Sequence, residues 1–173
     1  MYLNLFSIFA FLAAAIMTWL TFSVWKLRNF DGLKSFTLTL ASVSFYCLFY
    51  GLEISSSSTG AMSVFYRIEF IGISIIPSAF LHFAYSFTGK GRQLPTLLTV
   101  FTIVLPAFNT TMAFLNPSDL YFKDIQFENN GWFTGIFMTP GILYWIYQVY
   151  MVTAIGMSIY FLAHMTFSAS KVY

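Results

Sequence analysis

The sequence is short of charge. Lys, Arg, Asp and Glu make up 8% of its 173 residues, where a soluble domain carries about 25%. With 58% hydrophobic residues, that shortage excludes an ordinary soluble globular protein and a disordered one. The eight basic residues are scattered and form no basic face, which excludes nucleic-acid binding. The single cysteine, Cys47, excludes an internal disulfide framework and leaves the redox compartment unread. No nucleophile–base pair, metal-ligand spacing or cluster of acids and histidines stands out, so no enzyme activity is expected of this chain. No lysine lies inside the last hydrophobic stretch to hold a retinal Schiff base, and no internal repeat suggests a transporter built from two halves. The first 25 residues lack the basic start and small-residue cleavage site of a signal peptide and read as a mature membrane helix.

What the sequence does contain is long apolar runs, and a membrane helix needs about 20 mostly apolar residues. Five runs qualify, predicting helices over about residues 2–25, 34–53, 62–88, 94–115 and 140–168. They are too long and too unalternating for a β-barrel. The expected fold class is therefore all-α, a polytopic bundle of five transmembrane helices forming a single domain over residues 1–173. The connections are polar turns, except for residues 116–139. That stretch is too polar to span and long enough to cover one face of the bundle as a small cap.

Charge placement sets orientation. Lys26, Arg28, Lys34, Lys90, Arg92 and Lys171 fall on one side, whereas the other holds Lys123 with Glu53, Asp119, Asp124 and Glu128. This places the N-terminus and the cap outside and the C-terminus in the cytoplasm. Trp25 at the inner boundary and Trp132 outside suit interfacial positions.

Charges within hydrocarbon are expensive and usually pair or face a wet cavity. Glu53 ends the second helix, and Arg67 and Glu69 lie near the outer end of the third. Arg67 and Glu69 are two apart on one helix and cannot face each other. Glu53 and Arg67 are expected at similar depth and to pair. Tyr46, Tyr50 and Tyr66 lie near them, and Tyr144, Trp145, Tyr147 and Tyr150 form an aromatic stretch on helix five. Two readings stand: an interhelical clamp within an aromatic belt, or an outward-facing ligand pocket using Glu53, Arg67, Glu69, Tyr50, Tyr66 and Tyr147.

His82 and His164, each about two turns before an inner-side lysine, are expected at similar depth. Facing histidines can hold a metal or a b-type haem. Two histidines alone do not call for one, so separate packing roles are the simpler reading and no cofactor is expected. Pro77 removes a backbone hydrogen bond inside helix three and is the candidate hinge. Gly72 and Ser74 permit close helix approach. Asn109-Thr110-Thr111 fits a glycosylation pattern but falls within a membrane helix.

Several runs together resemble a known family. They are Phe49-Tyr50-Gly51-Leu52-Glu53, Phe65-Tyr66-Arg67-Ile68-Glu69-Phe70-Ile71-Gly72-Ile73, and the stretch from Ile76-Pro77 to the exit Phe83-Ala84-Tyr85-Ser86-Phe87-Thr88-Gly89. Leu120-Tyr121-Phe122-Lys123-Asp124-Ile125 and Gly141-Ile142-Leu143-Tyr144-Trp145 add to them. The pattern is similar to the N-terminal seven-helix sensor region of bacterial membrane histidine kinases, also found before diguanylate cyclases. The resemblance implies a sensory input module of two-component signal transduction in the bacterial plasma membrane, passing an outside or membrane signal to a cytoplasmic output domain. Only five of seven helices are accounted for, so the chain is either a piece of a longer protein or a shortened relative. The expected partners are the lipid bilayer, a small extracellular or lipid ligand, and a second copy or another membrane protein, with no nucleic acid. The competing readings are a small oligomeric transport or channel protein and a partner subunit of a membrane complex.

Overall fold

Hydrocarbon offers no hydrogen bonds, so a chain of this composition must satisfy its backbone internally, and the helix does so within each segment. The computed structural model, which describes residues 3–27, 29, 30, 32–88, 95–129, 131 and 133–169, has five long helices. They are α1 (Leu5–Trp25), α2 (Leu33–Ser55), α3 (Thr59–Phe87), α4 (Thr96–Leu115) and α5 (Ile142–Ala169). Of these, α1, α2, α3 and α5 are long and apolar enough to cross a membrane. The corresponding stretch of α4, Thr99–Leu115, is shorter. Five helices stand where five were expected, and four of them are long and apolar enough to span a membrane.

The all-α expectation requires correction. After α4 comes a single 3-10 turn, Pro117–Asp119, and then an antiparallel hairpin of β1 (Phe122–Asn129) and β2 (Thr134–Pro140). Residues 133–139 are rich in β-formers (Phe133, Thr134, Ile136, Phe137 and Thr139) and follow Gly131, which suits a pleated ribbon. The segment's polarity identified it as non-spanning but did not reveal the strands. The hairpin is anchored at both ends. Asn116 ends α4 in the left-handed conformation (φ 41°). Its Oδ1 accepts from the N–H groups of Tyr121 (3.0 Å) and Phe122 (2.8 Å), and its Nδ2 donates to the Phe122 carbonyl (2.9 Å). At the far end, the Gly141 N–H donates to the Tyr121 carbonyl at 2.8 Å. A Cβ on Gly141 would lie 2.1 Å from the Leu120 oxygen, so only glycine fits there.

α3 is the hub, packing against α2, α4 and α5, while α1 packs against α2. The α1–α2 contact is polar inside. Ser44 donates to the Ala14 carbonyl (2.9 Å) and shares a hydrogen bond with Thr18 (2.6 Å). Asn4 caps α1 through a capping box with Ser7 and donates to the Ile54 carbonyl at the end of α2 (2.7 Å). α2 and α3 close up where a Cβ on Gly72 would meet the Ser42 oxygen at 2.7 Å, the small-residue approach expected there. Outward faces carry Trp19, Phe22, Val149 and Val152, all exposed, as lipid contact demands.

Candidate functional site

Two carboxyls are buried toward the end of α2 and in the first half of α3, at the end of the bundle that carries the hairpin. Glu53 is 3% exposed and Glu69 4%. Tyr46, Tyr50 and Glu53 follow at i, i+4 and i+7 and so share one face of α2. Tyr66 and Glu69, three apart, share a face of α3. The Glu69 carboxyl lies within electrostatic reach of Tyr46, Tyr50, Tyr66 and Glu53. Tyr46 and Tyr50 stack at 5.9 Å between ring centroids. β2 packs against α2 and α3 with Ile136 beside the Glu53 carboxyl, so the hairpin covers this end of the seam. One oxygen, Glu69 Oε2, is fully buried without a hydrogen-bond partner among the described residues.

The expected Glu53–Arg67 pair is not formed. Arg67 Nη1 instead donates to the Phe114 carbonyl in the last turn of α4, at 2.8 Å. A cation suits that terminus because its carbonyls have no partner within the helix. The physical reason is rotation about α3. At 3.6 residues per turn, Arg67 and Glu69 point about 200° apart. Arg67 therefore meets α4, and Glu69 rather than Arg67 turns toward the tyrosines of α2.

Tyr147 is also separate from the carboxyl cluster. It is buried, and its hydroxyl donates to the Ile73 carbonyl at 3.0 Å. Ile73 lies four residues before Pro77, which has no N–H to return to it. The candidate hinge is therefore held by α5. One turn further on, Ser78 and Tyr150 share a hydrogen bond of 2.6 Å. Tyr144 lies edge-on to Tyr121 and Trp145 and accepts from Gln148 at 3.1 Å.

Sequence reasoning missed the residues that join the hairpin to the bundle. Tyr121, 1% exposed, donates from its hydroxyl to Asn109 Oδ1 at 2.6 Å. Asn109 Nδ2 donates to Ser74 Oγ at 2.7 Å, and Ser74 donates to the Phe70 carbonyl at 2.5 Å. Burial pushes the Tyr121 hydroxyl above the ordinary phenol range, and the bond to Asn109 opposes this only in part, so it remains a donor. Around this chain Phe70, Ala113, Tyr121 and Phe122 form a buried cluster, with Phe70 edge-on to Tyr121 at 5.6 Å. The available signal was Asn109 itself, an amide in an apolar helix whose burial demands partners. Asn109 is 2% exposed, which also removes it as a glycosylation site.

The two histidines do not face each other. His82 Nε2 and Thr102 Oγ1 are 2.7 Å apart, joining α3 to α4, while His164 is exposed and lies beside Tyr160 on its own helix. The contacts Ile73–Tyr147, Ser78–Tyr150 and Tyr85–Phe161 set the register of α3 against α5. That register puts His164 about 9–15 Å further along the helix direction than His82. Among the described residues no three His, Cys, Asp or Glu side chains converge as a metal site. His82 and Thr102 line a groove of about 690 Å³ between α2, α3 and α4, whose walls also include Leu38, Ile75, Pro106 and Thr110. Lys90, Arg92, Trp132 and Lys171, used above to orient the chain, lie outside the described residues, as does Arg28.

The family described as the N-terminal 7TM region of histidine kinase matches residues 9–173, nearly the whole chain. No curated protein and no solved structure matches it.

Proposed function

The chain belongs to the family of N-terminal 7TM regions of histidine kinases, and from that premise we propose that it is the sensory input module of a signal-transduction protein in the bacterial plasma membrane. In this reading the N-terminus and hairpin lie outside, the C-terminal end of α5 lies in the cytoplasm, and the chain performs no catalysis. The Glu53–Glu69–tyrosine seam receives the signal beneath the hairpin. The observation that carries the reading is the chain from Tyr121 through Asn109 to Ser74. It ties a covering element outside to the hub helix inside the membrane, so displacement of the hairpin is felt by α3. Transmission further inward runs through Tyr147 and Tyr150, which hold α5 to α3 on either side of Pro77. A signal acts by binding one of two arrangements better than the other.

The test places spin labels at the inner ends of α3 and α5 of the full chain in lipid nanodiscs and reads their distance distribution. Tyr121→Phe, which cuts the outer link alone, is expected to shift or broaden that distribution. An unchanged distribution, with the hairpin shown to be loosened by faster amide exchange, would make the bundle a static structure and defeat the sensory reading.

A further inference from the structure

We propose that the seam between Glu53 on α2 and Glu69 on α3 binds an organic ammonium ion, with the carboxylates taking its charge and the rings of Tyr46, Tyr50 and Tyr66 its methyl or methylene groups. The proposal rests on the reading of this seam as the receiving site and gives the chemical class of what it receives.

The first observation is the unpartnered oxygen. Glu69 Oε2 is fully buried and accepts nothing from the described residues, and buried polar groups are almost always partnered. The second is that, among the described residues, two acids share the site without a basic side chain. Among the described cations, Arg67 is committed to the Phe114 carbonyl. Lys26 and Lys34 lie at the opposite end of α1 and α2, and Lys123 is exposed on β1. An ammonium group from outside supplies the missing donor, and its charge favours the ionised form of both acids.

The type of cation follows from the lining. Hard divalent ions take six or more oxygen ligands, and among the described residues no third acid, histidine or cysteine joins the two carboxyls. The seam offers aromatic faces instead. Tyr46 and Tyr50 lie nearly parallel, 19° apart, and Tyr66 continues the lining on α3. Ring faces attract ammonium groups, and desolvation strengthens the attraction. The outer end of the seam is covered by β2 at Ile136, so ligand entry displaces the hairpin whose other end carries Tyr121.

The experiment titrates the full chain in nanodiscs with butylammonium chloride and tetramethylammonium chloride, following heat by calorimetry and melting temperature. Empty nanodiscs and potassium chloride at equal ionic strength serve as controls. Saturable binding of at least one ammonium probe is expected, weakened about tenfold or more by Glu69→Gln. Glu53→Gln is expected to weaken it likewise, and Glu128→Gln on the exposed hairpin is expected to leave it unchanged. Helical circular dichroism checks that each variant is folded. Absence of saturable binding to the unaltered chain overturns the proposal. So does equal stabilisation by potassium chloride, or equal affinity in a folded Glu69→Gln variant. Binding without movement of the labelled inner ends leaves the ammonium site standing and defeats the sensory reading. Inner-end coupling to Tyr121 without ammonium binding does the reverse.

Discussion

The Tyr147 hydroxyl donates, at 3.0 Å, to the one carbonyl that Pro77 leaves without a helical partner, that of Ile73. A proline in a membrane helix is tolerated where a neighbouring helix satisfies the freed backbone group. Here α5 does so with a buried side chain. The same contact locks two helices at the point where α3 lacks a rung of its ladder.

Tyr147→Phe removes the donor and should cost about 1 kcal/mol of stability, in line with interhelical hydrogen bonds in membranes. Pro77→Ala restores the N–H that returns to Ile73. The loss from Tyr147→Phe should therefore be smaller in the Pro77→Ala background than alone, a non-additivity expected of residues sharing one partner. Steric-trap unfolding in bicelles measures all four members of the cycle. Strict additivity would mean that the Ile73 carbonyl does not need Tyr147.

Asn109→Leu should be more harmful than its size change implies. It orphans both the Tyr121 hydroxyl and the acceptor position on Ser74, at about 1–3 kcal/mol for each buried polar group left unpaired. Pairing it with Tyr121→Phe removes one orphan, so the double variant should be less unstable than the sum. Amide exchange should also rise through β1 and β2 in Asn109→Leu while α1 stays protected. Unchanged exchange in the hairpin would show that the Tyr121 bond does not hold it.

Arg67→Met should destabilise by about 1 kcal/mol, discounted for partial exposure, through loss of the bond to Phe114. Its effect should add independently to that of Glu53→Gln. A coupling energy above about 0.5 kcal/mol between the two positions would point to the direct ion pair that sequence reasoning expected.

Gly141→Ala should disturb the junction of hairpin and α5, because the added Cβ falls 2.1 Å from the Leu120 oxygen and backbone must move. A loss of about 1–3 kcal/mol is expected. Gly131→Ala should be far milder sterically, since nothing lies within 4 Å of a Cβ there, although its φ of +81° favours glycine. Melting temperatures in one detergent rank the two, and equal values would contradict the packing at Gly141.

Much of the architecture was legible because membrane burial writes itself into composition. The five helix positions, the non-spanning stretch after Leu115 and the costly placement of Glu53 and Glu69 follow from apolar run length and the rarity of intramembrane charge. Side-chain direction was less legible. Glu53 and Arg67 were matched by depth, yet the angular position of Arg67 on α3 sends it to α4. His82 and His164 were matched by counting from lysines, yet packing of α5 on α3 shifts their levels.

The sequence by itself determined that this chain lives in a bilayer, that it forms helices joined by polar turns, and which residues would be costly there. Those properties depend on the solvent, and each residue meets that solvent one at a time. Only the tertiary structure decided the partners. Arg67 caps α4, Tyr147 replaces the bond lost at Pro77, Asn109 joins Tyr121 to Ser74, and Glu69 keeps one oxygen without a partner among the described residues. Each of those outcomes depends on helix rotation and register. Those are set by close approaches such as Gly72 on Ser42 and by the hairpin anchored at Asn116 and Gly141, contacts between segments far apart in the chain.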